Sequence, residues 1–360
     1  MKHLLALFIS ASLFFVPFNV AEQISVKIEG ARGVYTLPAD FYGNELTKRL
    51  DNRLDLFIDG VYKSEYVAPI DARLYYDQNS GAVKIKPESF GCEIDKEKLK
   101  GLIIAALETG GGYIKAPKKQ IEPKVFYKDL SGATSLRASF TTYYVTEKVE
   151  RASNISLATD TISGTVLMPG ESFSFNAVVG ERTEKRGYKI AKVIQGGNFV
   201  DGIGGGVCQV STTLFNAVLL SGLKVTEVHR HTLSVDYVKK SFDAMVSFNF
   251  ADLRFANTTS APVLIVGWAK NGALKFSVYG QKMQDKIRLE SVVTKIIEPK
   301  TSVIYNQSLD SGQTRVVISP KRGYESQGYM IIKSGDSLQK ILLSRDSYKC
   351  VDGVIETGGE

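Results

Sequence analysis

The chain has 360 residues, 44% hydrophobic and 23% charged, and a formal net charge of +7. That length calls for two or three compact units, and the ordinary composition without low-complexity tracts excludes a disordered chain. Cys92, Cys208 and Cys350 lie far apart with no CxxC pair, which excludes a disulfide scaffold and the usual zinc and redox signatures and leaves at least one thiol free.

The N-terminal stretch MKHLLALFISASLFFVPFNVAEQ has a basic start, an apolar run over 4–16 and a small residue at Ala21, the pattern of an export signal over residues 1–21. The run is short and is followed by Pro17, so contact with a membrane is expected only through this signal or an uncleaved anchor. The working compartment is therefore secreted or extracytoplasmic. There, Lys-rich pieces such as KAPKKQIEPKVFYK suit anionic wall polymers, and no nucleic-acid partner is expected.

Residues 22–128 read as an α+β domain. ISVKIEG, GVYTLP and RLDLFIDGVYKSEYV look strand-like, and ARLYYDQNSGAVKIKP is a strand pair turning at 78–81. DKEKLKGLIIAALET has helical spacing behind the N-cap Asp95 and stops at GGGY; APKKQIEPKVF is an extended connector.

Residues 136–281 form a second domain. RASNISLATDTISGTVL has a helical pattern that breaks at Met168, Pro169 and Gly170, and ESFSFNAVVGERTEKRGY follows as strand, turn and loop. The glycines at 204–206 lead into a helix over QVSTTLFNAVLLSG, with one apolar face and Gly222 as its stop. The remainder reads as strand, including VTEVHRHTLSVDYV, AMVSFNF and a hairpin turning at Asn271 and Gly272. Residues 282–360 read as a small, mostly-β module. The fold class is α+β and multidomain, with a β-rich central domain carrying a few helices.

Cys208 begins the helix, where free N–H groups and the helix dipole favour a thiolate. Gly205 and Gly206 let main-chain N–H groups face a substrate carbonyl, as an oxyanion hole requires. Gln209 follows the cysteine, and Ser211 and Thr212 share its face. His229 and His231, two apart, would project from one strand face as candidate bases. Spacing leaves the acid that orients the imidazole among Asp243, Asp252 and Glu227, with Asp252 carried forward as the site residue. A buried inert thiol, half of a disulfide and a His-x-His zinc site are the competing readings, with a Cys92–Cys350 bridge left open by the sequence; no metal and no cofactor is expected.

The blocks PGESFSFN, VGERTEKRGY, GGGVCQVSTTLFNA, HRHT, DAMV and DLRFAN together resemble the VanW-like domain family. PIDARLYYDQNSGAVKIKPESFGCEIDKEKL resembles the peptidoglycan-binding domain that often precedes it, and GYESQGYMIIKSGDSLQKILLSRDSY resembles a G-five module. The resemblance implies a wall-associated L,D-transpeptidase that works on peptidoglycan stem peptides and glycan, with Cys208 as nucleophile and His231, or with less support His229, as base. The alternative it leaves open is a non-catalytic peptidoglycan-binding accessory protein linked to glycopeptide resistance.

Overall fold

The computed structural model describes residues 25–38, 41, 46–195 and 198–359, so the leader at 1–21 lies outside the described residues. The chain forms two compact units. One comprises residues up to 71 together with 88–124, and the other comprises 72–87 together with 125 onward.

In the first unit, β1 (Val26–Glu29) lies between β2 (Val34–Thr36), antiparallel to it, and the parallel β6 (Gly112–Lys115). The segment RLDLFIDGVYKSEYV is helical rather than extended, forming most of α1 (Leu46–Glu65). Leu54, Ile58 and Val61 recur at helical spacing and are buried with Val26, Ile28, Leu99 and Ile103, a burial that overrides the local alternation. Near its end the buried Glu65 accepts from the N–H groups of Ala31 and Arg32 and from the Tyr35 hydroxyl. Burial pushes its carboxyl up, but these hydrogen bonds prevail and hold it below the usual range. β5 (Gly91–Ile94) pairs with β7 (Lys118–Ile121), which lies within the expected connector. Asp95 caps α2 (Lys96–Glu108) as expected, accepting from the N–H of Lys98 at 3.0 Å.

The second unit takes in the hairpin of β3 (Arg73–Asp77) and β4 (Ala82–Lys86), which the sequence reading grouped with 22–128. Ala72, Leu74 and Val83 from this hairpin are buried with Leu130, Ala133, Leu264 and Val266. Leu130 ends the short α3 (Tyr127–Leu130).

The central sheet has the order β8 (Ser135–Tyr143), β16 (Ala273–Gly280), β15 (Val263–Lys270), β9 (Val166–Leu167). Asn271 and Gly272 turn its hairpin with φ of 52° and 75°, the left-handed pair a tight turn needs. Two helices pack on this sheet, α4 (Val149–Ile162) and α6 (Val207–Leu220). α4 ends near Gly164, at φ 93°, earlier than Met168. A second sheet sets β14 (Arg254–Ala256) between β10 (Ser172–Ser174) and β13 (Lys224–Glu227). α5 (Phe175–Val179) follows β10, and β11 (Ile190–Gln195) and β12 (Asn198–Ile203) form a hairpin.

The C-terminal part is all strand. β17 (Lys286–Ile297), β20 (Gly323–Ser334) and β21 (Ser337–Tyr348) form one antiparallel sheet. β18 (Thr301–Tyr305), β19 (Thr314–Ile318) and β22 (Gly353–Thr357) form another, with β18 parallel to β22.

Candidate active site

The glycines before α6 are a steric requirement. Gly204 and Gly206 have φ of 84° and 107°, and Gly206 is the N-cap. A Cβ on Gly205 would sit 2.7 Å from the carbonyl oxygen of Lys192, so only a bare Cα lets the helix start lie against β11. The buried Asn154 amide fixes this turn by donating to the carbonyls of Gly205 and Lys189. Twelve of the fourteen residues of α6 are buried, so the single expected apolar face is a helix packed on nearly all sides; the exceptions are Cys208 and Leu220. Cys208 instead lines a groove of ≈ 1080 Å³ together with Gly205, Gly206, His231, Tyr237 and Val246.

The chain leaves strand geometry after Glu227, with a register shift between Val225 and Glu227. The two histidines therefore do not share a strand face. His231 is 6% exposed; its Nδ1 lies 2.8 Å from Asp243 Oδ2, and the same oxygen accepts from the His231 main-chain N–H. Its other ring nitrogen is left for the Cys208 thiol, and the two groups shift each other's protonation. Burial opposes the thiolate, but the hydrogen bond and charge of His231, with the Arg182 guanidinium, outweigh it and hold the thiol below its ordinary range. Burial also opposes the imidazolium, yet the bonds to Asp243 and Cys208 lift His231 to about 9. A thiol, an imidazole and a carboxylate in this order are chemically able to support nucleophilic catalysis. The Val246 carbonyl, 3.4 Å from Sγ, accepts from the S–H form.

His229 and Asp252 lie elsewhere. His229 turns its Nε2 to Glu227 Oε1 at 2.9 Å, and its side chain is 40% exposed. Asp252 accepts from the Ser174 hydroxyl and from the N–H groups of Asn176 and Leu253, and pairs with Arg254. These bonds tie the start of α5 to the strand pair below it, so Asp252 braces the fold while Asp243 takes the position beside the imidazole.

Gln209, Ser211 and Thr212 are buried and do not face the groove with open hydrogen-bonding groups. Ser211 donates to the Ala244 carbonyl at 2.6 Å, and Thr212 accepts from the Ala244 N–H at 2.9 Å. With Asn216, which donates to the Phe242 carbonyl, they clamp the main chain on both sides of Asp243. Gln209 donates to Thr142 and to the Tyr143 carbonyl, and its Oε1 accepts from Arg151 Nη2 at 2.7 Å. Arg151 and Arg182, which line the groove, and Tyr237, whose phenol burial keeps protonated, are site residues that sequence reasoning missed. Arg182 lies inside the quoted VGERTEKRGY block, but a charged residue in a polar loop carries no local signal of what it faces.

The C-terminal strands also reach the site. Tyr348 donates to Asp243 Oδ1 at 2.6 Å, and its hydroxyl accepts from the Ser241 N–H. Arg230 donates to the Asp243 carbonyl, lies over the Phe215 ring and approaches Asp346 at 3.4 Å. The Asp243 carboxylate thus accepts from the His231 ring and main chain and from Tyr348, and it is kept ionised: burial pushes it up, but His231 and Tyr348 prevail.

Among the described residues no group of three His, Cys, Asp or Glu side chains is placed to hold a metal, and Cys92, Cys208 and Cys350 are free thiols. No helix among the described residues is long and apolar enough to cross a membrane.

Residues 150–279 match the family model described as "VanW like protein", and residues 51–114 match the one described as "Putative peptidoglycan binding domain". The uncharacterized protein YoaR of Bacillus subtilis is 41% identical over 171 residues, which are 47% of this chain and 56% of that protein. The vancomycin B-type resistance protein VanW of Enterococcus faecalis is 30% identical over 139 residues, 37% of this chain and 49% of that protein. The chain thus spans about half the length of these curated relatives. Two solved structures, the IgA1 protease G5 domain and HP0197-G5, are similar to 21% of the chain at 19% and 17% identity, with TM-scores of 0.17 and 0.14; they cover 90% and 100% of their own lengths. With the matched domains in hand, the chain is a cell-wall-related protein that carries a VanW-like domain behind a domain of the peptidoglycan-binding type.

Proposed function

We propose that this chain is a peptidoglycan L,D-transpeptidase-like cysteine acyltransferase of the cell wall, forming 3-3 cross-links through a thioester on Cys208. The observation that carries the reading is the Cys208–His231–Asp243 array at the start of α6, open to a groove.

The Cys208 thiolate attacks the carbonyl that joins the third and fourth residues of a stem peptide. The developing oxyanion lies by the N–H groups of Gly205, Gly206 and Cys208, which donate to no main-chain acceptor among the described residues. Collapse breaks the C–N bond, and the His231 imidazolium gives its proton to the departing amine, releasing the terminal amino acid. The neutral imidazole then takes a proton from the side-chain amine of a neighbouring stem as that amine attacks the thioester. This step forms the cross-link and returns thiolate and imidazolium, while Asp243 stays ionised throughout. Water in place of the amine gives hydrolysis by the same steps.

Incubation of the purified protein with a disaccharide-tetrapeptide is expected to show, by intact mass, an acyl adduct that Cys208→Ala lacks. Unmodified mass in both would remove the acyltransferase reading and leave the accessory role in peptidoglycan binding, which the match over 51–114 supports.

A further inference from the structure

Two guanidinium groups beside Cys208 meet no substrate atom in the steps above. Arg151 and Arg182 both line the groove, and the charge of Cys208 acts on both. Neutral acceptors hold them in place: Gln209 Oε1 for Arg151, and Asn176 Oδ1 at 2.7 Å and the Gly180 carbonyl at 3.0 Å for Arg182. The Phe175 ring lies under the Arg182 guanidinium, with its centroid 5.4 Å away. Arg182 Nη2 is buried and has no hydrogen-bond partner among the described residues. Asp252, whose charge reaches Arg182, is engaged by Ser174, Asn176 and Arg254. The acidic residues of the groove, Glu147, Glu150, Glu181 and Asp201, are exposed at its rim. Apart from the Cys208 thiolate, the inner wall is therefore cationic. A partly desolvated guanidinium with an unpaired N–H is a strong donor to a carboxylate, which accepts from it in two-point geometry.

We propose that Arg151 and Arg182 form a carboxylate subsite that takes the free α-carboxylate of the residue leaving Cys208. The proposal rests on the acyltransferase reading and adds to it the residues that would select a donor whose scissile bond is its last one. The carboxylate departs with the released amino acid, so the subsite empties as the thioester forms and the groove is clear for the incoming amine. A stem extended by one residue, or capped as an amide, presents no charge there and leaves the guanidinium unpaired, a cost the site can use to reject it.

The test separates this subsite from the chemistry. Binding of a tetrapeptide acid and of its C-terminal amide to the Cys208→Ser protein is measured by calorimetry. The acid is expected to bind about 10- to 100-fold more tightly, the range of a charge-assisted hydrogen bond. Arg182→Gln is expected to erase most of that difference and Arg151→Gln part of it, each checked for native circular dichroism. Equal affinities in the Cys208→Ser protein would overturn the subsite and mean that the arginines serve the thiolate alone, as would no saturation by either peptide up to ~10 mM. Acid-over-amide preference together with no acyl adduct on the wild type would keep the subsite and remove the acyltransferase.

Discussion

At the residue scale, the site separates two aspartates that look alike in sequence. Asp243 holds the imidazole and Asp252 holds a helix start, so their amides are expected to fail differently. In Asp243→Asn the imidazolium loses its carboxylate, His231 falls back toward the ordinary imidazole range, and the thiolate loses its cation. The midpoint of Cys208 alkylation against pH, read by peptide mapping, should move up by about one unit or more from a wild-type value below the ordinary thiol near 8.5. Asp252→Asn should leave that midpoint in place and cost about 1–2 kcal/mol in denaturant unfolding. An upward move in Asp252→Asn matching that in Asp243→Asn would mean the acid is misassigned. The sign of the stability contribution follows from the same pair. His231 is raised to about 9, so its contribution is full below the unfolded imidazole value and is lost as pH rises through about 9.

At the scale of the element, α6 and its glycine turn act as one part. Gly206→Ala places a Cβ at φ 107° and 3.0 Å from both Arg151 Cγ and Ile155 Cγ1. The change is expected to cost about 1–3 kcal/mol in unfolding and to slow Cys208 alkylation by shifting the helix start; an unchanged midpoint of unfolding would argue that the turn relaxes freely. This element was largely legible in the sequence, because a glycine turn, a helix N-terminus and a cysteine are chemistry between near neighbours. The acid was not legible. Asp243 lies twelve residues from His231 along a stretch without strand or helix period, so nothing in the local pattern ranks it above Asp252 or Glu227. Ser211 and Thr212 were visible as motif residues, but their use is to hold the chain at Ala244, a contact between segments that periodicity does not describe. α1 was misread because a short apolar pattern fits either period, and the packing of Leu54, Ile58 and Val61 decided it.

At the scale of the whole molecule, the second unit is more than a domain with an appendage. Tyr348 on β21 reaches Asp243, 105 residues earlier in the chain, and Ser326 on β20 bonds Ser241. Circular dichroism and the fluorescence of Trp268, the chain's single tryptophan, should therefore report the same thermal transition of this unit. Tyr348→Phe leaves a buried Ser241 N–H without its acceptor and should lower stability by about 1–3 kcal/mol. Alkylation of Cys208 that melts out well before Trp268 fluorescence changes would show that the two parts are not joined in this way.

The hairpin of β3 and β4 belongs to this unit although 88–124, which follows it in the chain, returns to the other. The chain therefore passes from one unit to the other three times, near 71, 87 and 124, and neither unit is a continuous length of polypeptide. A gene cut at 128 would strand Leu74 and Val83 on one product and bare Leu264 and Val266 on the other. On a ribosome the order matters as well: the first unit can close soon after residue 124 emerges, while the hairpin must wait for strand 263–270 to be made. Fragments for separate study would have to be spliced, with a short turn joining 71 to 88, rather than trimmed.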